Sequence, residues 1–448
     1  MRRRSFLAGA ATVPGALGAS AIGFEEQATQ QPQPGFERTR FGMVGVGMQG
    51  SGLLHNAISL PGVECVGAAD LWDERHKLAR EITGNPSLFT TRSYEELFRR
   101  PDVDCIVAAV PDHWHKRVVV DACAAGKDIY CEKPMSHTIT EGFEMVDAAQ
   151  KHSRIVQIGS QRVSSSLCAK ARELYKGGII GEIETVELSY GRNSPNGAWQ
   201  YPLPPNLSTS NLDWDKWLNG APKIPLSPER FARWRCWKEY GTGVGGDLMV
   251  HLLSGMLFTL GWNEAPRSAS ALGGIFRWKD GRNMPDFHTV LFDYHGVPVY
   301  VRLDLGSATP EIARFLGPKG VMEADDSSVR INSQSGEDKE PSYYANSFPA
   351  AMHAQYVKEW TEKHPRQFGR EPLTDSPVFE GPNWDDVKPH LWNFFSAVKS
   401  RKPVVEDAIF GNHAAIGCHM ANESYFRGKP VFWDEHSRTL NTNSQDRA

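Results

Sequence analysis

Residues 41–50 are Phe41-Gly42-Met43-Val44-Gly45-Val46-Gly47-Met48-Gln49-Gly50, an apolar run that ends in a glycine-rich turn. The run predicts a buried strand, and residues 51–59 behind the turn have the pattern of a helix. In such a turn the first glycine permits a tight bend, the second leaves room for a ligand, and the third lets helix and strand pack closely. Backbone N–H groups at the helix start favour a pyrophosphate. We therefore predict a dinucleotide site formed by Gly45, Gly47, Met48, Gln49 and Gly50.

Strand and helix patterns continue to alternate behind this turn. Strands are predicted at 63–69, 103–110, 128–131 and 155–158, and helices at 73–82 and 113–125. Strands joined by helical crossovers pair in parallel. We therefore expect a doubly wound α/β Rossmann domain over residues 36–160.

Asp70 ends the second strand, 20 positions after Gly50. A carboxylate there accepts the ribose hydroxyls and repels a 2′-phosphate, which favours NAD over NADP. Arg75 nearby keeps NADP open as the less favoured cofactor. The alternative interpretation is that Asp70 caps the following helix.

Two polar segments follow neighbouring strands of the predicted sheet. One is Pro111-Asp112-His113-Trp114-His115 and the other is Glu132-Lys133-Pro134. Ligands bind at the carboxyl ends of such strands, so we place Pro111, His115, Glu132 and Lys133 at the cofactor. In the alternative interpretation the lysine is solvated, and His115 caps its helix or packs under the cofactor.

These motifs together resemble the Gfo/Idh/MocA family, the glucose-fructose oxidoreductases, inositol dehydrogenases and MocA proteins. Residues 212–218, 246–251 and 393–434 also look like segments of its exported members. The resemblance implies an NAD(P)-dependent oxidoreductase that acts on CH–OH groups of a carbohydrate. It places Lys133 between nicotinamide and substrate, with the pair Asp247 and His251 completing the site.

The same three residues suit the chemistry of hydroxyl oxidation. A base with a pKa near neutrality must take the proton, and histidine is the natural candidate. Asp247 and His251 are four positions apart, so on a helix the carboxylate can orient the imidazole or bind a hydroxyl. Lys133 can lower the pKa of the hydroxyl or share the proton relay. The alternative for the Asp/His pair is a surface contact.

The sequence departs from the family pattern at two positions. Met249 stands where many relatives have glycine, and Ser254 stands where many have aspartate. The missing carboxylate at Ser254 removes one sugar contact, so the substrate pose is expected to differ from that of inositol dehydrogenases.

The second domain, residues 161–435, is expected to be α+β with a large, mostly antiparallel sheet. Strands are predicted at 182–190, 268–277, 287–294, 297–304 and 314–316, with a hairpin turn at 294–297. Together with the resemblance, one bare sheet face implies a homo-oligomer.

Two aromatic stretches of this domain, 199–205 and 234–240, suit the C–H faces and hydroxyls of a sugar. The alternative is a satellite core under a long loop. The candidate substrate-binding residues are Gln161, Arg162, Trp234, Arg235 and Tyr240.

The N-terminus has the features of an export leader. Arg3-Arg4-Ser5-Phe6-Leu7 matches a twin-arginine signal, and Ala19-Ser20-Ala21 matches a cleavage site. We predict a signal peptide and linker at 1–35, recognition by the Tat export machinery, a periplasmic protein and a tail at 436–448. The alternative is a disordered or anchoring N-terminus.

Composition narrows the possible classes of protein further. A formal net charge of −4 gives no argument for nucleic acid, and no later segment is apolar enough for a membrane helix. The seven cysteines form no CxxC pair, so neither a metal site nor a disulfide framework is predicted.

Export has a consequence for the cofactor. No pool of free NAD is expected outside the cytoplasm, so the cofactor must be bound tightly and recycled internally. The net reaction is then sugar oxidation coupled to reduction, or epimerisation or cleavage through transient oxidation. A non-catalytic carbohydrate-binding or sensory protein on the same scaffold is the alternative.

Overall fold

The computed structural model describes residues 38–334, 338, 340–364, 378–381 and 386–442. The predicted leader and linker at 1–35 lie outside the described residues. The strands are β1 Thr39–Val44, β2 Val63–Ala69, β3 Phe89–Thr91, β4 Cys105–Ala108, β5 Asp128–Glu132, β6 Val156–Gly159, β7 Thr185–Gly191, β8 Ser268–Gly274, β9 Phe287–Tyr294, β10 Val297–Asp304, β11 Thr309–Gly317, β12 Gly320–Ala324, β13 Ser328–Ser333, β14 Val378–Glu380, β15 Val431–Asp434 and β16 Thr439–Asn441. The α-helices are α1 Met48–Ile58, α2 Asp73–Thr83, α3 Tyr94–Arg99, α4 Asp112–Ala124, α5 Ile139–His152, α6 Ser166–Lys176, α7 Trp214–Leu218, α8 Pro228–Ala232, α9 Val250–Leu260, α10 Ala350–Lys363, α11 Val387–Ser400 and α12 Ala408–Arg427.

The first lobe is a six-stranded parallel sheet with helical crossovers, in the order β3-β2-β1-β4-β5-β6. Its central strands β4 and β5 are buried along their whole length, as expected for a parallel sheet covered on both faces. The predicted Rossmann fold is confirmed. The short β3 and α3 were not predicted, because three residues of strand carry too little periodicity to detect.

The second lobe is a ten-stranded sheet in the order β14-β13-β12-β11-β7-β10-β9-β8-β15-β16. All its pairs are antiparallel except β7 with β10, so the predicted mostly antiparallel sheet is confirmed. The turn at His295 and Gly296 joins β9 to β10 as predicted, with positive φ at both residues. Thr439–Asn441, from the predicted tail, pairs with β15 at the edge of the sheet.

Helix α11 lies on the first lobe, although its sequence follows the second. Its side chains Leu391, Trp392, Phe394 and Phe395 join the core formed by β1 and α1. The rings of Phe41 and Phe395 are 5.5 Å apart. The first lobe therefore includes a C-terminal helix that the predicted boundary at residue 160 leaves out.

The two lobes are joined at the start of α4. Asp112 Oδ2 accepts hydrogen bonds from the backbone N–H and the hydroxyl of Thr242, at 2.9 and 2.7 Å. The indole N–H of Trp114 donates to the carbonyl of Trp217 at 2.9 Å. These buried contacts fix the second lobe against the carboxyl ends of β4 and β5.

No helix among the described residues is long and apolar enough to cross a bilayer.

Candidate active site

A cavity of about 600 Å³ lies between the two lobes. It begins at the glycine turn and ends among aromatic side chains of the second lobe. Most of the predicted site residues line it: Gly45, Gly47, Met48, Gln49, Asp70, Pro111, Glu132, Lys133, Gln161, Trp234, Arg235, Asp247 and His251.

The three glycines differ in what surrounds them. Gly45 has a φ of +82°, and a Cβ there would overlap the carbonyl of Ala109. A Cβ on Gly50 would overlap the carbonyl of Gly45. A Cβ on Gly47 would meet no atom within 4 Å. Gly45 and Gly50 therefore build the turn, whereas Gly47 leaves an open cradle at the start of α1 that fits a pyrophosphate.

Asp70 supports the same turn. Its Oδ2 accepts from the backbone N–H of Val46 at 2.8 Å, and its Oδ1 accepts from the backbone N–H of Trp72 at 3.0 Å. Burial raises the pKa of this carboxyl, and the two backbone hydrogen bonds oppose that rise. Asp70 does not cap α2, because the N-cap of that helix is Trp72 and Asp70 binds the N–H of Trp72 itself. The side chain also lines the cavity, where a carboxylate can reach ribose hydroxyls.

Lys133 and Asp247 meet across the lobes. Lys133 Nζ donates to the Asp247 carbonyl at 3.0 Å and to Asp247 Oδ1 at 2.8 Å. Arg235 Nε donates to Oδ1 at 3.0 Å, and the indole N–H of Trp199 donates to Oδ2 at 3.2 Å. Burial alone would raise the Asp247 pKa, but Lys133 and Arg235 hold it well below its usual range. The carboxylate is therefore ionised throughout the neutral range.

The close approach of these two residues depends on a glycine that the sequence did not single out. The peptide between Lys133 and Pro134 is cis, and Asp247 lies in the π-helical turn Gly245–Met249 that precedes α9. A Cβ on Gly246 would lie 2.9 Å from Pro134 Cγ and would overlap the Thr242 hydroxyl. Gly246 thus lets the π-helical turn contact the segment after β5.

His251, in the first turn of α9, lines the same cavity. Burial lowers its pKa well below the usual value, and the nearby Lys133 and Arg162 cations lower it further. The imidazole is therefore neutral near pH 7 and able to accept a proton. Its Nδ1 has no hydrogen-bond partner among the described residues. The expected orientation of His251 by Asp247 is not seen, because Lys133, Arg235 and Trp199 occupy the carboxylate.

Glu132 is held beside Lys133 by two glutamines. Its Oε1 accepts from Gln49 Nε2 at 3.0 Å and from Gln161 Nε2 at 2.7 Å. Burial raises the Glu132 pKa, and the neighbouring Lys133 lowers it in part. Gln161 therefore positions Glu132 in addition to lining the cavity.

Besides Gly50, which builds the turn, three candidates lie away from the main cavity. His115 is buried, and its Nδ1 and Nε2 lie 2.7 Å from the carbonyl of Pro134 and 2.9 Å from that of Val110. Tyr240 is 1% exposed and packs on His113, so its predicted substrate contact is wrong. Arg162 forms an ion pair with Glu311 and lines a second cavity of about 70 Å³ that also contacts His251. These partners are distant in sequence, so no local pattern could indicate them.

The positions that depart from the family pattern also lie outside the main cavity. Met249 and Ser254 are both fully buried, and the Ser254 hydroxyl donates to the carbonyl of His251 at 3.3 Å.

Arg192 and Trp199 are site residues that the sequence did not assign. Arg192 follows β7 and lines the main cavity, while Trp199 is buried behind Asp247. An isolated arginine after a strand carries no signal. Trp199 belongs to the aromatic stretch 199–205, whose composition suits a sugar, but in the structure its indole N–H binds Asp247.

Residues 39–160 match the family model GFO_IDH_MocA, described as an oxidoreductase family with an NAD-binding Rossmann fold. A curated relative, glycosyl hydrolase family 109 protein 2 of Shewanella sp. (strain ANA-3), is 28% identical over 212 residues, which cover 42% of this chain and 45% of the relative. The chain spans less than half the length of the curated relatives that it matches.

Solved structures resemble the chain over a longer range. The aldose-aldose oxidoreductase from Caulobacter crescentus, complexed with glycerol, has a TM-score of 0.63 and 16% identity, and covers 88% of this chain and 100% of its own. Levoglucosan dehydrogenase, in complex with NADH and levoglucosan, has a TM-score of 0.63 and 17% identity, with 88% and 99% covered. At these identities the likeness shows the fold.

The class of protein follows from the fold and the family match together. Residues 39–160 form a Rossmann domain that matches the Gfo/Idh/MocA model, which describes an oxidoreductase family with an NAD-binding Rossmann fold, and 88% of the chain shares the fold of the two solved structures. The resemblance inferred from the glycine turn and Glu132-Lys133-Pro134 is thereby supported.

Proposed function

We propose that this protein is an NAD(P)-dependent oxidoreductase that oxidises a hydroxyl group of a sugar, glycoside or cyclitol. One observation carries the proposal. The Lys133–Asp247 pair, with a 2.8 Å contact, and the neutral His251 line a cavity that also contains the open cradle at Gly47. Groups that can exchange a proton therefore share one cavity with a cradle that suits a pyrophosphate, and this supports the proposal.

The protein's own groups handle the proton. A bound nicotinamide would accept the hydride from the carbon. Lys133 directs two hydrogen bonds to Asp247 and retains a third N–H for the substrate oxygen, where it stabilises developing negative charge. His251 is neutral and lines the same cavity, so we assign it as the acceptor of the hydroxyl proton. Asp247 fixes the ammonium and balances its charge.

Two measurements test this proposal. The purified protein is denatured, and the released nucleotide is identified by absorbance and mass spectrometry as NAD or NADP. The intact protein is then screened against sugars, glycosides and cyclitols for a change in the absorbance of reduced nicotinamide. A protein that binds no nucleotide and gives no absorbance change with any compound would contradict the assignment.

We also propose export by the twin-arginine pathway, on the motif Arg3-Arg4-Ser5-Phe6-Leu7. In an exported protein, retention of the cofactor through turnover would require nanomolar affinity or better, about 12 kcal/mol of binding free energy. Replacement of both arginines by lysine should leave the protein in the cytoplasm, which fractionation would detect. A preparation that is empty and needs millimolar added NAD would contradict retention.

A second candidate reaction is favoured by the glycosyl hydrolase family 109 relatives. Oxidation of a ring hydroxyl to a ketone acidifies the adjacent C–H, so a base can remove that proton and expel the glycosidic oxygen. Water then adds across the double bond, and the hydride first given to a bound nicotinamide would return to the carbonyl carbon, which completes a redox-neutral hydrolysis. Tyr201, Pro202 and Trp234 line the cavity and offer apolar surface to an aglycone. Release of nitrophenol from nitrophenyl glycosides without net nicotinamide reduction would identify this reaction.

We further propose that the protein pairs with a second copy through the bare face of the ten-stranded sheet. Leu272 is 79% exposed and Tyr300 is 49% exposed on that face, and Leu291 is the register partner of Tyr300. Exposed apolar side chains on a broad sheet favour association. Light scattering should show a dimer or larger assembly that Tyr300→Asp dissociates, and a monomeric wild type would contradict the proposal.

A further inference from the structure

The end of the cavity near Lys133 carries an excess of positive charge. Lys133, Arg192 and Arg235 all line it, and Lys133 and Arg235 share the single carboxylate of Asp247. Glu132 Oε1 accepts hydrogen bonds from Gln49 and Gln161, and among the described residues neither arginine pairs with it. The protein therefore supplies less negative than positive charge at the place where a substrate would bind.

Arg192 has no carboxylate partner among the described residues. Its guanidinium lies over the ring of Tyr190 at 5.0 Å, and its Nε donates to the Tyr190 hydroxyl at 3.1 Å. Its charge acts on Asp247, His251 and Glu311, so the guanidinium lies at the reaction end of the cavity. A half-buried cation with no carboxylate in direct contact can gain stability from a ligand that supplies one.

Arg235 is held in a comparable way. Its Nε is bound to Asp247, and its guanidinium stacks on Trp234 at 4.2 Å. In the part of the chain that the structure describes, its two terminal nitrogens meet no acceptor. Two planar guanidinium groups, each fixed by an aromatic ring, thus line one cavity with unused donors. Such a pre-oriented arginine is well suited to a carboxylate, which it binds through paired hydrogen bonds.

We propose that the substrate is a carboxylated sugar of the hexuronate class, whose carboxylate is bound by Arg192 with the terminal nitrogens of Arg235. The inference rests on the proposed function only in taking this cavity as the substrate site. The carboxylate occupies the arginine side of the cavity while a ring hydroxyl contacts Lys133. The hydroxyls of a neutral hexose can accept hydrogen bonds from the arginines, but they supply neither the negative charge nor the paired acceptors of a carboxylate.

Matched pairs of ligands test this. The protein, with the nucleotide it retains, is titrated calorimetrically with D-glucuronate against D-glucose, D-galacturonate against D-galactose, and D-mannuronate against D-mannose. At least one acid should bind about tenfold or more tightly than its neutral partner. A hydrogen bond to a charged group contributes enough binding free energy for a difference of that size. No preference for the acid in any pair, including no binding of any acid, would overturn the proposal.

Arg192→Gln should abolish the preference for the acid, and Arg192→Lys, which keeps the charge without the fork, should retain only part of it. Arg277→Gln is the matched control, because Arg277 also lies over an aromatic ring, Trp278, but does not line the cavity. A preference that survives in Arg192→Gln would overturn the assignment. If that variant melts below the assay temperature, the comparison of wild type with Arg192→Lys decides.

The same ligand pairs, followed in parallel by nicotinamide absorbance, separate this inference from the proposed function. A preferred acid that leaves the nicotinamide absorbance unchanged would contradict the oxidation and leave the subsite intact. Oxidation of neutral sugars alone would contradict the subsite and leave the oxidation intact.

Discussion

Lys133 Nζ lies 2.8 Å from Asp247 Oδ1, although the two residues are 114 positions apart and belong to different lobes. Both side chains are 12% exposed, so the contact is largely shielded from solvent. Neither lobe contains the pair by itself. Correct docking of the lobes is therefore a condition for assembly of the proposed site, and it links stability to activity.

Lys133→Met should abolish most of the activity while leaving the fold and the bound nucleotide in place. The variant loses the ammonium at the substrate oxygen, and Asp247 keeps its bonds from Arg235 and Trp199. The expected loss in kcat is about 10²- to 10⁴-fold, typical of removing a proton-transfer group. The assay is the rate of nicotinamide reduction with the best compound of the screen.

Lys116→Met is the control for that substitution, because Lys116 pairs with Glu144 at the surface and should not affect kcat. A protein that binds sugars with wild-type affinity in both variants, and turns over none, would be a carbohydrate-binding protein and not an enzyme.

Alanine substitutions at three glycines near the turn distinguish effects on folding from effects on nucleotide binding. Gly50→Ala should lower the melting temperature and eliminate bound nucleotide, because its Cβ would overlap the carbonyl of Gly45. Gly47→Ala should melt like the nucleotide-free wild type yet bind nucleotide weakly, since only the ligand would meet its Cβ.

Gly52→Ala is the control in the same helix. A Cβ added at this position meets no atom within 4 Å. The variant should therefore keep the nucleotide and gain about 0.5–1 kcal/mol of stability from helix propensity. Nucleotide content and thermal melts distinguish the three variants. Equal nucleotide content in all of them would show that this turn is not the binding site.

Asp112→Ala should weaken the docking of the lobes. The change removes two buried hydrogen bonds and leaves the N–H of Thr242 without a partner, at a cost of about 2–3 kcal/mol in the free energy of unfolding. Because Thr242 precedes the π-helical turn that carries Asp247, kcat should fall as well. Denaturant unfolding measures the first effect. Asp102→Ala, which breaks a partly exposed pair with Arg100, should change both by much less.

The glycine turn and Lys133 could be predicted from sequence because local rules determine both. A strand, a bend and a helix start require glycine at fixed positions, and the residues after β5 must lie at the carboxyl edge of the sheet. Positions that depend on distant partners were not predictable. Tyr240 packs on His113, and α11 packs on β1. In each pair the two partners are far apart in sequence.

The relation between Asp247 and His251 shows a different limit of sequence reasoning. A spacing of four on a helix predicts a contact between the two side chains. In the structure Asp247 lies in a π-helical turn and its oxygens are taken by Lys133, Arg235 and Trp199. The spacing identified both residues, but the competing cations determine what each one contacts.

Stability should depend on pH through His390, which joins α11 to the first lobe. Burial lowers its folded-state pKa to about 4, and its Nδ1 accepts from the Ser164 hydroxyl at 2.8 Å. In the unfolded chain the pKa returns to about 6.5, so below that pH the unfolded state binds a proton that the folded state does not. The stability that neutral His390 confers is therefore complete above about pH 6.5 and is lost as the pH falls toward 4. Relative to His390→Gln, which cannot titrate, the wild type should lose about 1.4 kcal/mol per pH unit in this window.

The control for His390→Gln is His55→Gln, because His55 is exposed on α1. Carboxyl groups such as Glu406 titrate alike in the wild type and both variants, so their contributions cancel in the difference. Free energies of unfolding from denaturant titrations at pH 7.5, 6.5, 5.5 and 5.0 give the measurement. The advantage of the wild type over His390→Gln should shrink below pH 6.5, whereas its difference from His55→Gln should be much less dependent on pH. A constant difference between wild type and His390→Gln would mean that the imidazole takes up protons equally in the folded and unfolded states, and that burial between Ser164 and the carbonyl of Ile158 does not hold it neutral.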